Sequence, residues 1–71
     1  MSEEINSQLV ATVWKILVSE NQYVSAGDTL MILESMKMEI PITAERDGIV
    51  VRVVVTEGQT VQGGDLLIKL D

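Results

Sequence analysis

The sequence predicts an all-β fold, a flattened barrel or sandwich of two four-stranded antiparallel sheets with internal pseudo-two-fold symmetry. Three observations predict it. Val, Ile and Thr make up 22 of the 71 residues, while Phe is absent and Trp14 and Tyr23 are the only aromatics. Branched side chains lose little χ1 freedom on a pleated sheet, so this composition favours strands. No stretch of a dozen residues holds a helical period, and turn signals recur at Glu20-Asn21-Gln22, Ala26-Gly27-Asp28, Arg46-Asp47-Gly48, Glu57-Gly58-Gln59 and Gly63-Gly64-Asp65. Finally, residues 11–34 align without gaps on residues 48–71 at an offset of 37, with nine of 24 paired positions identical. Two copies are too few for a solenoid, which needs at least three. They suit one closed domain spanning residues 1–71.

Each copy reads strand, turn, short strand, Gly-Asp turn, strand. The opening strands run from Val13 to Val18 and from Val50 to Val55. Strict alternation places Trp14, Ile16 and Val18 on one face, with Val51, Val53 and Val55 as their counterparts. The opposite face carries Lys15 and Arg52, and unpaired Lys and Arg are rarely buried, so the first set is expected inward. Val24 matches Val61 between the copies. The last strands carry Leu30 and Leu33 in one copy, Leu67 and Leu70 in the other. Residues 1–10 and 35–47 read as lying outside the repeat.

Composition also bounds function. The chain has no Cys and no His, which removes thiol nucleophiles, imidazole bases, Ser-His-Asp triads and the common metal ligands. No catalytic residue and no metal site is expected. Eleven acids against five bases leave a net charge of −6. That sign, with so few aromatic rings for base stacking, argues against nucleic acid as a partner. The first residues lack a charged, apolar leader, and the longest apolar run is broken by Arg52, so no membrane span is expected and a cytoplasmic monomer is the default.

The segment between the copies breaks a local rule. The strand from Thr29 must reverse before Pro41, because residues 38–43 are again strand-like. A tight reversal favours Asn or Gly, yet the residues available are Ser35, Met36, Lys37 and Met38. Such violations concentrate at functional positions. Of the three lysines, Lys15 matches Arg52 in the repeat and Lys69 aligns with Ile32, whereas Lys37 has no counterpart.

Glu34-Ser35-Met36-Lys37-Met38-Glu39 resembles the Glu-(Ala/Ser)-Met-Lys-Met signature of the biotinyl carrier domains of biotin-dependent carboxylases. The flanks Gly27-Asp28-Thr29-Leu30 and Ala44-Glu45-Arg46-Asp47-Gly48-Ile49-Val50 agree, and the resemblance covers Val13 to Leu70. It is closest in kind to small free-standing biotin/lipoyl attachment proteins. The chain departs from the family pattern where Leu9-Val10-Ala11 stands in place of the Pro-Gly pair of many members, where Asn21 stands for a usual turn glycine, and between Val18 and Asp28, which leave no room for the protruding loop of some bacterial carriers.

The resemblance implies covalent attachment of biotin to Lys37 by a biotin protein ligase, with Glu34, Ser35, Met36 and Met38 as the surrounding motif. Activating the lysine falls to the ligase, and the carrier contributes geometry. The resemblance further implies a carrier, not an enzyme, that takes carboxybiotin from a biotin carboxylase to a carboxyltransferase. The alternatives are a lipoyl or dual biotin/lipoyl carrier, and an unmodified barrel acting as an interaction module. Lipoyl domains typically have Asp-Lys-Ala at the tip, which Met36-Lys37-Met38 does not match.

Overall fold

A computed structural model describes residues 2–71, which form eight strands and no helix: β1 (Glu3–Asn6), β2 (Ala11–Ile16), β3 (Tyr23–Val24), β4 (Thr29–Ser35), β5 (Met38–Thr43), β6 (Gly48–Val53), β7 (Thr60–Val61) and β8 (Leu66–Leu70). They build two four-stranded sheets, in the orders β1-β8-β6-β3 and β5-β4-β2-β7. Every pairing is antiparallel. The sheets remain separate, so the fold takes the sandwich form rather than a closed barrel. Its core is aliphatic: Val13, Val24, Leu30, Leu33, Val50, Val61, Leu67, Ile68 and Leu70 are almost wholly buried, together with Met31.

The 37-residue offset reappears as hydrogen bonds. The Val13 amide donates to the Gln59 carbonyl at 2.8 Å, and the Val50 amide to the Gln22 carbonyl at 2.9 Å. The Ser25 amide donates to Asp28 Oδ2 and the Gln62 amide to Asp65 Oδ2, closing the two Gly-Asp turns. Asn21 and Gly58 occupy equivalent left-handed positions, with φ of 72° and 91°. Asparagine adopts this region more readily than most residues, which explains its standing in for glycine.

The structure extends the repeat and corrects its limits. Ile5 lies opposite Ile68 in the β1–β8 pair, and Ile42 opposite Met31 in the β4–β5 pair, again 37 residues apart. Strand β1 is therefore the counterpart of β5, and residues 3–34 correspond to residues 40–71. Among residues 3–10 only Ile5 is identical to its counterpart, so the sequence carries little trace of this extension. Between the two copies, residues 35–39 have no counterpart.

A second correction concerns the faces of β2 and β6. Val13 and Val50 are fully buried, whereas Trp14 is 43% and Val51 45% exposed. The cause is a matched pair of β-bulges. Register slips between Val13 and Lys15 opposite β4, and between Val50 and Arg52 opposite β8. An extra residue in a strand breaks the period-two alternation. Trp14 and Lys15 thus both face outward, as do Val51 and Arg52, and the inward phase resumes at Ile16 and Val53. Ile16, Val18, Val53 and Val55 pack inward as alternation predicts; Trp14 and Val51 do not. Each bulge is fastened by the other copy. Glu57 Oε2 accepts from the Ile16 amide at 2.9 Å, and Glu20 Oε2 from the Val53 amide at 3.1 Å.

The edges are short or blunted. Strands β3 and β7 have two residues each. On the β5 edge, Pro41 lies opposite Ile32, at a ladder position whose N–H would point away from β4 toward the open side. Proline loses no ladder bond there and leaves one fewer donor for a stray strand.

Candidate functional site

Strands β4 and β5 meet in a two-residue hairpin. Ser35 lies opposite Met38, and the intervening Met36 and Lys37 have φ of 53° and 64°. Two successive left-handed residues define the type I′ geometry, whose twist matches that of paired strands. The conformation costs a residue bearing an ordinary Cβ about 1–2 kcal/mol. At the other left-handed positions among the described residues the chain uses Gly27, Gly58, Gly64 and Asn21. Only this turn is made from Met and Lys.

The ladder below over-determines the turn. Ser35, Glu34, Leu33, Ile32 and Met31 lie opposite Met38, Glu39, Ile40, Pro41 and Ile42, with Leu33 and Met31 anchored in the core. Ser35 is half-buried, and its hydroxyl donates to the Val10 carbonyl at 3.2 Å. This ties the hairpin to the segment leading into β2. The serine of the motif is thus a fastening, and its side chain is turned from the apex.

Lys37 is exposed at the tip, between Met36 at 91% and Met38 at 64% exposure. Met38 belongs to the core-facing row of β5 with Ile40 and Ile42, but stands past the end of the core. On the outer face, Glu34 and Glu39 are directly opposite one another and both are exposed. Like charges facing across a ladder are unfavourable, so this pair too departs from what the fold alone would select. All five motif residues predicted from the sequence lie in this one hairpin. Val10 is an addition: it is exposed beside the turn, and neither periodicity nor spacing in the sequence marks it. Among the described residues no cluster of acidic side chains could hold a metal ion, and no helix is long and apolar enough to cross a membrane.

The hairpin therefore offers a primary amine, held at an apex by a determined backbone and flanked by two thioethers. An amine so placed is suited to acyl transfer, forming an amide with an activated carboxyl group. A rigid two-sheet body presenting one lysine on a hairpin is the arrangement of a cofactor-carrying domain. The chain belongs to the family described as "Biotin-requiring enzyme", whose sequence model matches residues 2–70. It is 46% identical over 67 residues to a biotinylated protein TB7.3 homolog of Mycobacterium leprae, covering 94% of both chains. It is 44% identical over 66 residues to a biotin/lipoyl attachment protein of Bacillus subtilis, covering 93% of this chain and 90% of that one. Among solved structures, a single-chain, multi-domain long-chain acyl-CoA carboxylase superposes with a TM-score of 0.91 at 36% identity, over 97% of this chain and 7% of the carboxylase. The protein is a biotin-type carrier domain, similar to the domain found in that carboxylase.

Proposed function

We propose that Lys37 is the covalent biotin site and that the chain acts as one non-catalytic carrier domain, cytoplasmic, serving a biotin-dependent carboxylase. The observation that carries this is the position of Lys37 at the centre of residues 35–39, the stretch between the two copies, in a turn that glycine would fill more comfortably. An amide to Nζ would hold the cofactor, whose ureido ring supplies a nitrogen able to accept and release a carboxyl group. The protein's own part is positional. The determined turn keeps the ordering cost low when a ligase or an active site receives the tip. A tether fixes the effective concentration of what it carries. Met36 and Met38 provide adaptable apolar contact around the amine. The partners in this reading are a biotin protein ligase, a biotin carboxylase and a carboxyltransferase.

Incubation with biotin ligase, ATP and biotin, followed by intact mass and peptide mapping, tests the assignment. One biotin on Lys37 is expected in the wild type, in Lys15→Arg and in Lys69→Arg. None is expected in Lys37→Arg, whose guanidinium stays protonated and is a poor nucleophile. Biotin mapped to Lys15 or Lys69 would refute the site. Refusal of biotin with acceptance of lipoate at Lys37 would keep the site and change the cofactor.

A further inference from the structure

The chain has no cysteine, so its thioethers are the side chains most ready to yield two electrons to a peroxide. Three of its four methionines are among the described residues, and the fold treats them oppositely. Met31 is fully buried in β4, whereas Met36 is 91% and Met38 64% exposed. Through the repeat Met31 corresponds to Ile68, also fully buried, so a large apolar side chain is what the core needs there. Residues 35–39 have no counterpart, and neither burial nor backbone calls for a thioether at position 36 or 38. The left-handed turn would take Asn or Gly more readily than Met36. Met38 stands past the end of the core.

The two exposed thioethers flank Lys37 in sequence. Around them the apex is polar. Glu34 and Glu39 are exposed below it, and the Ser35 hydroxyl is spent on the Val10 carbonyl at 3.2 Å. Met36 and Met38, with Val10 beside them, are therefore the apolar surface of the tip.

We propose that Met36 and Met38 form a reversible oxidation site that gates the loading of Lys37. The oxidant is hydrogen peroxide. The sulfur lone pair bonds to one peroxide oxygen as the O–O bond breaks. The departing hydroxide then takes the proton from the transferred oxygen and leaves as water. Sulfur loses two electrons, the peroxide gains them, and the product is a sulfoxide. Methionine sulfoxide reductases return it to the thioether, one enzyme for each epimer. The S–O group is a hydrogen-bond acceptor placed where a ligase needs apolar contact, and covering it without a donor is unfavourable. The sandwich itself would persist, because both side chains lie outside the core and the ladder below sets the turn. The gate rests on the carrier reading above; the position of the oxidised sulfurs does not.

To test this, the full chain is treated with dilute hydrogen peroxide, catalase removes the excess, and oxygen uptake is mapped by peptide mass. Ligase, ATP and biotin are added afterwards, so only the carrier has met the oxidant. Met36 and Met38 should take up oxygen while Met31 stays reduced and the circular dichroism is unchanged. The KM of the ligase for the carrier should rise at least about tenfold, the scale of covering an unpaired polar group. Both sulfoxide reductases with a thiol reductant should restore it. The double variant Met36→Leu with Met38→Leu keeps Met1 and Met31 and is compared with its own untreated form. Peroxide should move the KM of that variant by less than about twofold, since its tip has no thioether left to oxidise. An unchanged KM for the oxidised wild type would overturn the gate. So would an equal loss in the double variant, or a loss that the reductases leave in place. Met31 oxidised as fast as Met36 in the folded chain would overturn the site. Refusal of biotin by the untreated chain would defeat the carrier reading and the gate with it, whereas equal acceptance before and after peroxide would defeat the gate alone.

Discussion

At the scale of the residue, the hairpin tip carries backbone strain that side-chain burial does not offset. Met36 has a left-handed backbone and a nearly fully exposed side chain, so it contributes strain without compensating packing. Met36→Asn should therefore raise stability by about 1 kcal/mol in chemical denaturation, since Asn accepts this conformation more readily. The same change should slow biotinylation, measured as a higher KM of the ligase for the carrier. Met38→Ala should leave stability within about 0.5 kcal/mol, as surface substitutions do, and also slow ligation. A destabilised Met36→Asn would mean that the methionine side chain packs in a way its exposure does not suggest. Lys37 is legible in the sequence because it is the lysine with no partner in the repeat and sits among residues that avoid turns. Val10 is not legible, because its link to the site is a carbonyl accepting from Ser35, 25 residues away, and a backbone atom leaves no trace in side-chain pattern.

At the scale of the strand, the bulges decide which valines matter. Val50→Ala empties a fully buried site and should cost about 2 kcal/mol, whereas Val51→Ala, its exposed neighbour, should stay within about 0.5 kcal/mol. Urea titration of the pair checks the assignment of faces; equal losses would place Val51 back in the core. Glu20→Ala and Glu57→Ala should each cost about 1 kcal/mol, because each removes the acceptor for an amide just past a bulge. Similar losses at the two sites are expected, as the two contacts are equivalent. Alternation along β2 and β6 was legible in sequence, but its phase was not. A bulge shows itself only when both strands and their register are known. The period-two pattern reads equally well either way when both faces are rich in valine and isoleucine.

At the scale of the whole molecule, the two copies are interlaced. Each sheet takes two strands from residues 3–34 and two from residues 40–71, and strands of one copy flank strands of the other. Neither half can build a sheet with a covered face alone. Peptides 1–37 and 38–71 should each be unfolded by circular dichroism, and mixing them should restore strand signal as a one-to-one complex. A structured single half would show that the copies are independent units. The offset of 37 was visible because both copies spend the same residues on the same turns: Gly-Asp, Glu-x-Gln and spaced leucines. Strand β1 is not legible in the sequence, because an edge strand of four residues with one half-buried isoleucine specifies little. In this symmetry the Met36-Lys37 turn, which joins β4 to β5, corresponds to the gap between β8 and β1, where no peptide bond runs. The two openings of the architecture are interchangeable. A circular permutant that bridges residue 71 to residue 3 with a copy of residues 35–39, and begins elsewhere in the ring, would keep every strand pairing. It would also present a hairpin lysine at each pole, where the natural order of the strands presents one.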